Sequence, residues 1–221
     1  MSYRNPIFAN GEIYHIFNKS VGNEQVFINP RDNNRMLSLF SYYRFSSQLR
    51  YSHFIRLTDE LKLSFWEHLS KSPPLVEMYA FSLMPNHFHL LVKQFNNEGI
   101  TKFISNIQNS YAKFFNTKFE RKGSLFCEKF KAVRIESNEQ LIHVSRYVHI
   151  NPVTSYIIEI SDLDTYPNTS FSHYMNKIRY DFINKQFILD GFKSEESYRS
   201  FVQNNVDYQR KLSEIKHLRL D

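Results

Sequence analysis

Leu75 to Leu83 is an apolar run, followed at once by Met84-Pro85-Asn86 and then by the strand-like segment His87 to Lys93. An apolar run of this length suits a central, buried strand. The proline-containing triplet is a turn signal, so residues 75–93 predict a β-hairpin. Ile13 to Lys19 reads as an earlier strand. Pro30 and Asp32 open a helical pattern carrying Met36, Leu37, Leu39, Phe40 and Tyr43. After the hairpin, Phe103, Ile104, Ile107, Tyr111, Phe114 and Phe115 recur at a helical period over Ile100 to Phe119. Leu125 to Ile135 reads as a fourth strand. Ser137, with Gln140 three residues on, is a capping-box signature. The helix it opens runs through Leu141, Val144, Tyr147 and Val148 and is expected to stop at Pro152, which has no amide donor. The order β-α-β-β-α-β predicts an α+β, ferredoxin-like antiparallel sheet with helices on one face and the other face open, followed by the helix bearing Tyr147.

The expected organisation is a main domain over residues 1–175, interrupted by an irregular insertion at about 46–74 with a short helix near Leu61 to Leu69. A helical C-terminal extension over 176–221 follows, in which Ser194 to Gln203 is amphipathic. The 221 residues are 42% hydrophobic and 16% aromatic, enough for a packed core. A net charge of +6 favours polyanionic partners. No apolar run reaches membrane-spanning length, and the N-terminus lacks the order of a signal peptide. The single Cys127 excludes an internal disulfide and a multi-cysteine zinc site. A soluble, cytoplasmic protein is expected.

His87 and His89 are two apart on a strand and aim at one face, while Phe88, Leu90 and Val92 aim at the other. Two imidazoles on neighbouring rungs can share one metal; half-buried histidines bonded to carbonyls or water would leave the same pattern. Tyr147 and Asn151, four apart, share a helix face with His143. They are either a nucleophile and a neutral oxygen ligand, or a packed ring and a cap before Pro152. Histidine-triad hydrolases need a third alternate histidine, and position 91 is Leu. Amidohydrolase barrels need roughly 250 residues and repeated βα units, and this chain has neither.

Tyr14-His15, Met84 to Val92, Gly123-Ser124-Leu125-Phe126, Lys129-Phe130-Lys131 and Arg146 to Val153 together resemble the HUH single-tyrosine transposases. The resemblance is to the branch of REP-associated tyrosine transposases and their insertion-sequence relatives. Tyr166-Pro167-Asn168-Thr169-Ser170-Phe171 is similar to that branch's tryptophan-proline-x-Ser-Ser-Tyr segment, with Tyr for Trp and Thr for the first Ser. The resemblance covers roughly residues 10–175 and implies that this span is the catalytic domain. It implies that His87, His89 and Asn151 hold a divalent metal (Mg²⁺ or Mn²⁺) and that Tyr147 is the nucleophile. The implied reaction cuts and rejoins single-stranded DNA at hairpin or palindromic sites through a 5′-phosphotyrosine link. It also implies a nucleoid-associated protein acting as a monomer or a homodimer. The insertion and the C-terminal extension depart from the simplest members.

A base for the tyrosine is not identified by the residues; metal-bound water, His143 and His149 are candidates. His15 reads as a structural strand histidine. Lys113, Lys118, Arg121, Lys122, Lys129, Lys131 and Arg134 are concentrated between residues 111 and 135, interleaved with phenylalanines, and are the expected DNA contacts. Two further classes stay open: a non-catalytic DNA- or RNA-binding protein of the same fold, and a metal-dependent phosphoesterase that uses water. Neither would form a protein–DNA adduct that depends on Tyr147.

Overall fold

The structure, a computed structural model, describes residues 7–204 and 206. Strands β1 (Ile13–Lys19), β2 (Val76–Met84), β3 (His87–Gln94) and β4 (Lys131–Ile135) form one antiparallel sheet in the order β2-β3-β1-β4. Helices α1 (Pro30–Tyr43), α2 (Tyr51–Phe54) and α3 (Asp59–Ser70) lie in sequence between β1 and β2, and α4 (Gly99–Lys118) between β3 and β4. Helix α5 (Asn138–Thr154), the short α6 (Phe171–Tyr174) and α7 (Gln186–Leu189), and α8 (Glu195–Gln203) follow. This is the expected ferredoxin-like β-α-β-β-α-β order with the Tyr147 helix after the last strand. The extension expected over 176–221 lies partly on residues 205 and 207–221, outside the described residues.

Three local expectations need correction. The fourth strand is only Lys131–Ile135, not Leu125–Ile135. Before it the Asn18 carboxamide donates to the Cys127 carbonyl at 2.9 Å, so a side chain takes the place of a ladder amide, and Phe130 turns away to stack on Phe8. Pro152 does not end its helix, which runs on to Thr154. Proline removes one amide, its own; beyond it Ser155 N–H still reaches the Asn151 carbonyl at 3.0 Å. Residues 46–74 are more helical than expected, because Tyr42 of α1 gives them a core: its ring lies 5.2 Å from Tyr51, 5.0 Å from Phe54 and 6.5 Å from Trp66.

The chain divides into two compact units. The first comprises Met1–Glu77, Pro85–His87 and Val92–Arg134. Here Asn29 caps α1 by accepting from Asp32 N–H, with Pro30 in the first turn where a missing amide costs nothing. The buried Asp32 carboxylate then receives Lys118 of α4 at 2.6 Å, tying the two helices together. Tyr111, also on α4, is fully buried and donates its hydroxyl to the Val26 carbonyl. The start of α4 has no cap of its own; instead buried Gln94 accepts from Ile100 N–H at 3.1 Å. Gly99 sits there because a Cβ would lie 2.5 Å from the Leu75 carbonyl oxygen.

The second unit comprises Met78–Met84, Phe88–Leu91 and Ile135–Asp221. Ser137 caps α5 by accepting from Gln140 N–H, and the Gln140 side chain reaches back to Glu136 N–H. His149 of α5 is fully buried, with Nδ1 at 2.8 Å from the Tyr198 hydroxyl of α8 and Nε2 at 2.8 Å from Ser170 Oγ. One arrangement satisfies every atom. Phe81 N–H of β2 donates to Ser170, Ser170 donates to His149 Nε2, and His149 Nδ1–H donates to Tyr198. Tyr198 donates to Ser145, and Ser145 donates to the Ile142 carbonyl. Such a fully connected buried network rigidifies the elements it joins. Among the described residues, no helix is long and apolar enough to cross a membrane.

Two outcomes follow for stability. Gly99→Ala should lower the free energy of unfolding by about 1–3 kcal/mol, the usual range for forcing a group into filled space, read as a lower urea midpoint. Burial holds the His149 imidazole neutral, with a pKa lowered to about 3, and His15 likewise to about 4. Below the unfolded-state histidine pKa the unfolded chain binds protons that the native state refuses. Stability is therefore fully present above that pH and falls as pH drops toward the native values, by ~1.4 kcal/mol per pH unit for each such group. The urea midpoint should decrease between pH 7 and pH 5, and the His149 ring should keep the NMR shifts of a neutral imidazole at pH 5.

Candidate active site

Helix α5 presents opposite faces to different surroundings. His149 faces inward, while Tyr147, two residues earlier and therefore on another side of the helix, is 39% exposed. The Tyr147 ring meets the ring of His89 edge-on, with centroids 5.5 Å apart and planes at 89°. His89 itself, the third residue of β3, is buried beside Phe88 and Leu90 of the same strand. One turn along α5 from Tyr147, Asn151 is 5% exposed. Burial raises the Tyr147 pKa above the ordinary phenol value, and the nearby Asn151 side chain works against that rise. Among the described residues Asn151 Nδ2 is buried without a hydrogen-bond partner, while Oδ1 accepts only a long bond, 3.4 Å, from Ser155.

His87 begins the same strand, two residues before His89, and so projects from the same face of it. Its Nδ1 lies 2.6 Å from the Asn86 side-chain oxygen. With that oxygen as acceptor, the proton sits on Nδ1 and Nε2 carries the ring's lone pair. Burial, with the charge of Lys19 as a second cause, lowers the His87 pKa to about 4, so the ring is neutral. A neutral imidazole whose other nitrogen is already engaged is the form in which histidine binds metals. Among the described residues, no cluster of three or more His, Cys, Asp or Glu side chains is placed to hold a metal. The expected set, two imidazoles and a carboxamide, is of a different composition.

The candidates for a base separate clearly. Both nitrogens of His149 are engaged in the buried network, which removes it from the reaction. His143 bonds Arg146 at 2.7 Å and lies against Phe201, 5.6 Å between centroids. His15 is buried beside Phe17 on β1, a structural position.

The expected cations are not equivalent. Lys118 is held by Asp32, Arg121 by Glu24 at 2.7 Å and Arg134 by Glu12 at 2.8 Å. Lys131 lies over the Phe17 ring at 6.0 Å. Lys113, Lys122 and Lys129 are exposed. Counting charges along 111–135 overlooked Arg31, Arg35, Arg50 and Arg56, which gather with Lys113 and Lys118 around one groove of about 960 Å³. Their signal was present as helical spacing: Arg31 and Arg35 are four apart on α1. Ser170 was also overlooked as a partner of His149, since only the fold brings residues 149 and 170 together.

The solved structures include a REP-associated tyrosine transposase bound to a REP hairpin, which is 14% identical to this chain. It covers 83% of this chain and 92% of its own, with a TM-score of 0.50. A protein of Deinococcus radiodurans R1 described as a transposase is 13% identical, covering 66% of this chain and 94% of its own with a TM-score of 0.35. The tRNA(His) guanylyltransferase of Saccharomyces cerevisiae is 9% identical, covering 84% of this chain and 79% of its own with a TM-score of 0.37. The first likeness establishes a common fold; the other two scores are too low to establish one. No curated protein sequence matches. The family model of IS200-like transposases matches residues 45–151, just under half of the chain and the span that holds His87, His89, Tyr147 and Asn151. Over those residues the chain is similar to the IS200-like transposases.

Proposed function

We propose that this protein cuts and rejoins single-stranded DNA by transesterification, with Tyr147 as the nucleophile. The observation that carries the reading is the edge-on contact between Tyr147 and His89, which sets a half-exposed phenol against one of the paired histidines. The Tyr147 oxygen attacks the scissile phosphorus, the bond from phosphorus to the 3′ oxygen breaks, and that oxygen leaves as a 3′-OH carrying the proton given up by the phenol. A 5′-phosphotyrosine remains. The 3′-OH of a second strand then attacks the link, re-forms a phosphodiester and returns the proton to Tyr147. Aryloxide leaves readily, so the exchange runs in both directions.

His87, His89 and Asn151 fit a divalent ion, Mg²⁺ or Mn²⁺, which when bound neutralises phosphate charge and holds the phosphate for in-line attack. The neutral His87 ring, its proton turned to Asn86, supports that assignment. Asn151 supports it too: the two ends of a carboxamide are nearly the same shape. Turned over, the end that meets no partner becomes the oxygen. The span 1–175 is the catalytic domain in this reading, and 176–221 an extension of it. The DNA is a hairpin or palindromic element, as suggested by the REP hairpin in the similar structure. Lys113, Lys122 and Lys129 contact phosphates from exposed positions; Lys118, Arg121 and Arg134, each held by a carboxylate, and Lys131, over the Phe17 ring, are the secondary contacts.

Incubated with hairpin-bearing single-stranded DNA and Mn²⁺, the protein should form an adduct that survives denaturing electrophoresis. Tyr147→Phe should abolish it, and Asn151→Ala should reduce it by on the order of tenfold or more, the usual effect of disturbing a ligand shell. Because the phenol starts protonated and its pKa is raised, adduct formation should quicken as pH rises. Salt-sensitive DNA retention without any adduct, or cleavage that persists in Tyr147→Phe, would sink the reading.

A further inference from the structure

The groove within the first unit is lined by Arg31, Arg35, Arg50, Arg56, Lys113 and Lys118. Among the described residues, no carboxylate lines it, and of the six cations only Lys118 forms an ion pair, with Asp32. Five like charges converge with nothing to balance them. That arrangement repels itself and is stabilised only when an anion enters. The spacing is regular as well: Arg31 and Arg35 are one turn apart on α1, Asn109 and Lys113 one turn apart on α4. Two helices thus present two rails of donors, completed by Arg50 and Arg56 on either side of α2. Asn34, Asn106 and Asn109 add amide donors between the charges.

The rings at the groove are engaged by Arg35 or buried. The Arg35 guanidinium lies 4.5 Å from the Tyr51 ring centroid and 5.1 Å from that of Phe114, and Tyr43 is 6% exposed. Proteins that hold unpaired strands use open aromatic faces as platforms for bases. This groove has cations without such a platform, which suits a paired backbone, where phosphates are dense and bases are stacked on each other. Arg35 is fixed over two rings, and its Nε is buried without a hydrogen-bond partner among the described residues.

We propose that this groove, built by α1, the segment around α2 and α4, grips the phosphate backbone of paired DNA through Arg31, Arg35, Arg50, Arg56 and Lys113. These cations position a duplex stem without reading its sequence. The proposal rests on the transesterase reading only for its choice of DNA. It is a statement about binding, and its failure is seen in affinity, whereas failure of that reading is seen in the absence of an adduct.

The test is fluorescence anisotropy of a labelled DNA hairpin with the full chain over a range of salt. The substitutions Arg31→Gln, Arg50→Gln and Arg56→Gln are combined in one variant; all three side chains are exposed, so folding is not at stake. The slope of log affinity against log salt should become less steep by about 0.9 for each phosphate that the variant no longer neutralises, and affinity should fall on the order of tenfold or more. The matching triple exchange to Lys should keep the slope. Affinity for an unpaired oligonucleotide of the same length should fall less than affinity for the hairpin. An unchanged slope in the Gln variant overturns the groove as a DNA site. Equal decreases on paired and unpaired DNA overturn its assignment to a stem, and binding of phosphatidylserine vesicles in preference to DNA assigns the groove to a membrane surface instead.

Discussion

The imidazole of His149 is held between the hydroxyls of Tyr198 and Ser170, each at 2.8 Å, and α5 is seated where those two bonds are made. Ser170 is tied in turn to the Phe81 backbone of β2, so a side-chain chain connects the strand, the helix and α8. A hydrogen bond of this kind contributes only about 1 kcal/mol net, but leaving any member unpaired in the interior costs more than that. The network therefore acts as a fixture: other rotations of α5 about its own axis would bury an unsatisfied ring nitrogen. What it fixes is the outward side of the helix, where Tyr147 meets His89 and Asn151 stands one turn further on.

The histidines of this chain divide by their surroundings more than by their intrinsic chemistry. His149 has both nitrogens committed and is neutral because it is fully buried. His87 is also held neutral, with Nδ1 turned to the neighbouring Asn86 carboxamide. The same imidazole is thus a structural strut in one place and a candidate ligand in another. The cations divide in the same manner. Lys118, Arg121 and Arg134 are held by carboxylates, while the arginines of α1 and of the α2 segment face an acid-free groove.

Much of the fold was legible because its signals are local. A helix start at Pro30, a proline turn at Pro85 and an apolar period along α4 each act within a few residues, and each is found where it was expected. Where a distant group intervened, the reading failed. Asn18 replaces a ladder bond at Cys127, 109 residues away, and shortens β4. Tyr42 supplies a core to residues 51–66, which in isolation look irregular. The candidate site was half legible: the strand spacing of His87 and His89 and the helical spacing of Tyr147 and Asn151 are local, but the meeting of the two elements is not.

The amino-acid sequence alone determined the order of elements, the paired histidines on one strand face and the phenol and carboxamide on one helix face, since each depends only on backbone periodicity. Tertiary structure alone decided that Tyr147 lies against His89, that His149 is a strut, and which cations are neutralised. These outcomes depend on partners 49 residues apart for His149 and Tyr198, 86 for Lys118 and Asp32, and 122 for Arg134 and Glu12. Periodicity carries no information over such separations; only packing of the whole chain selects which donor finds which acceptor.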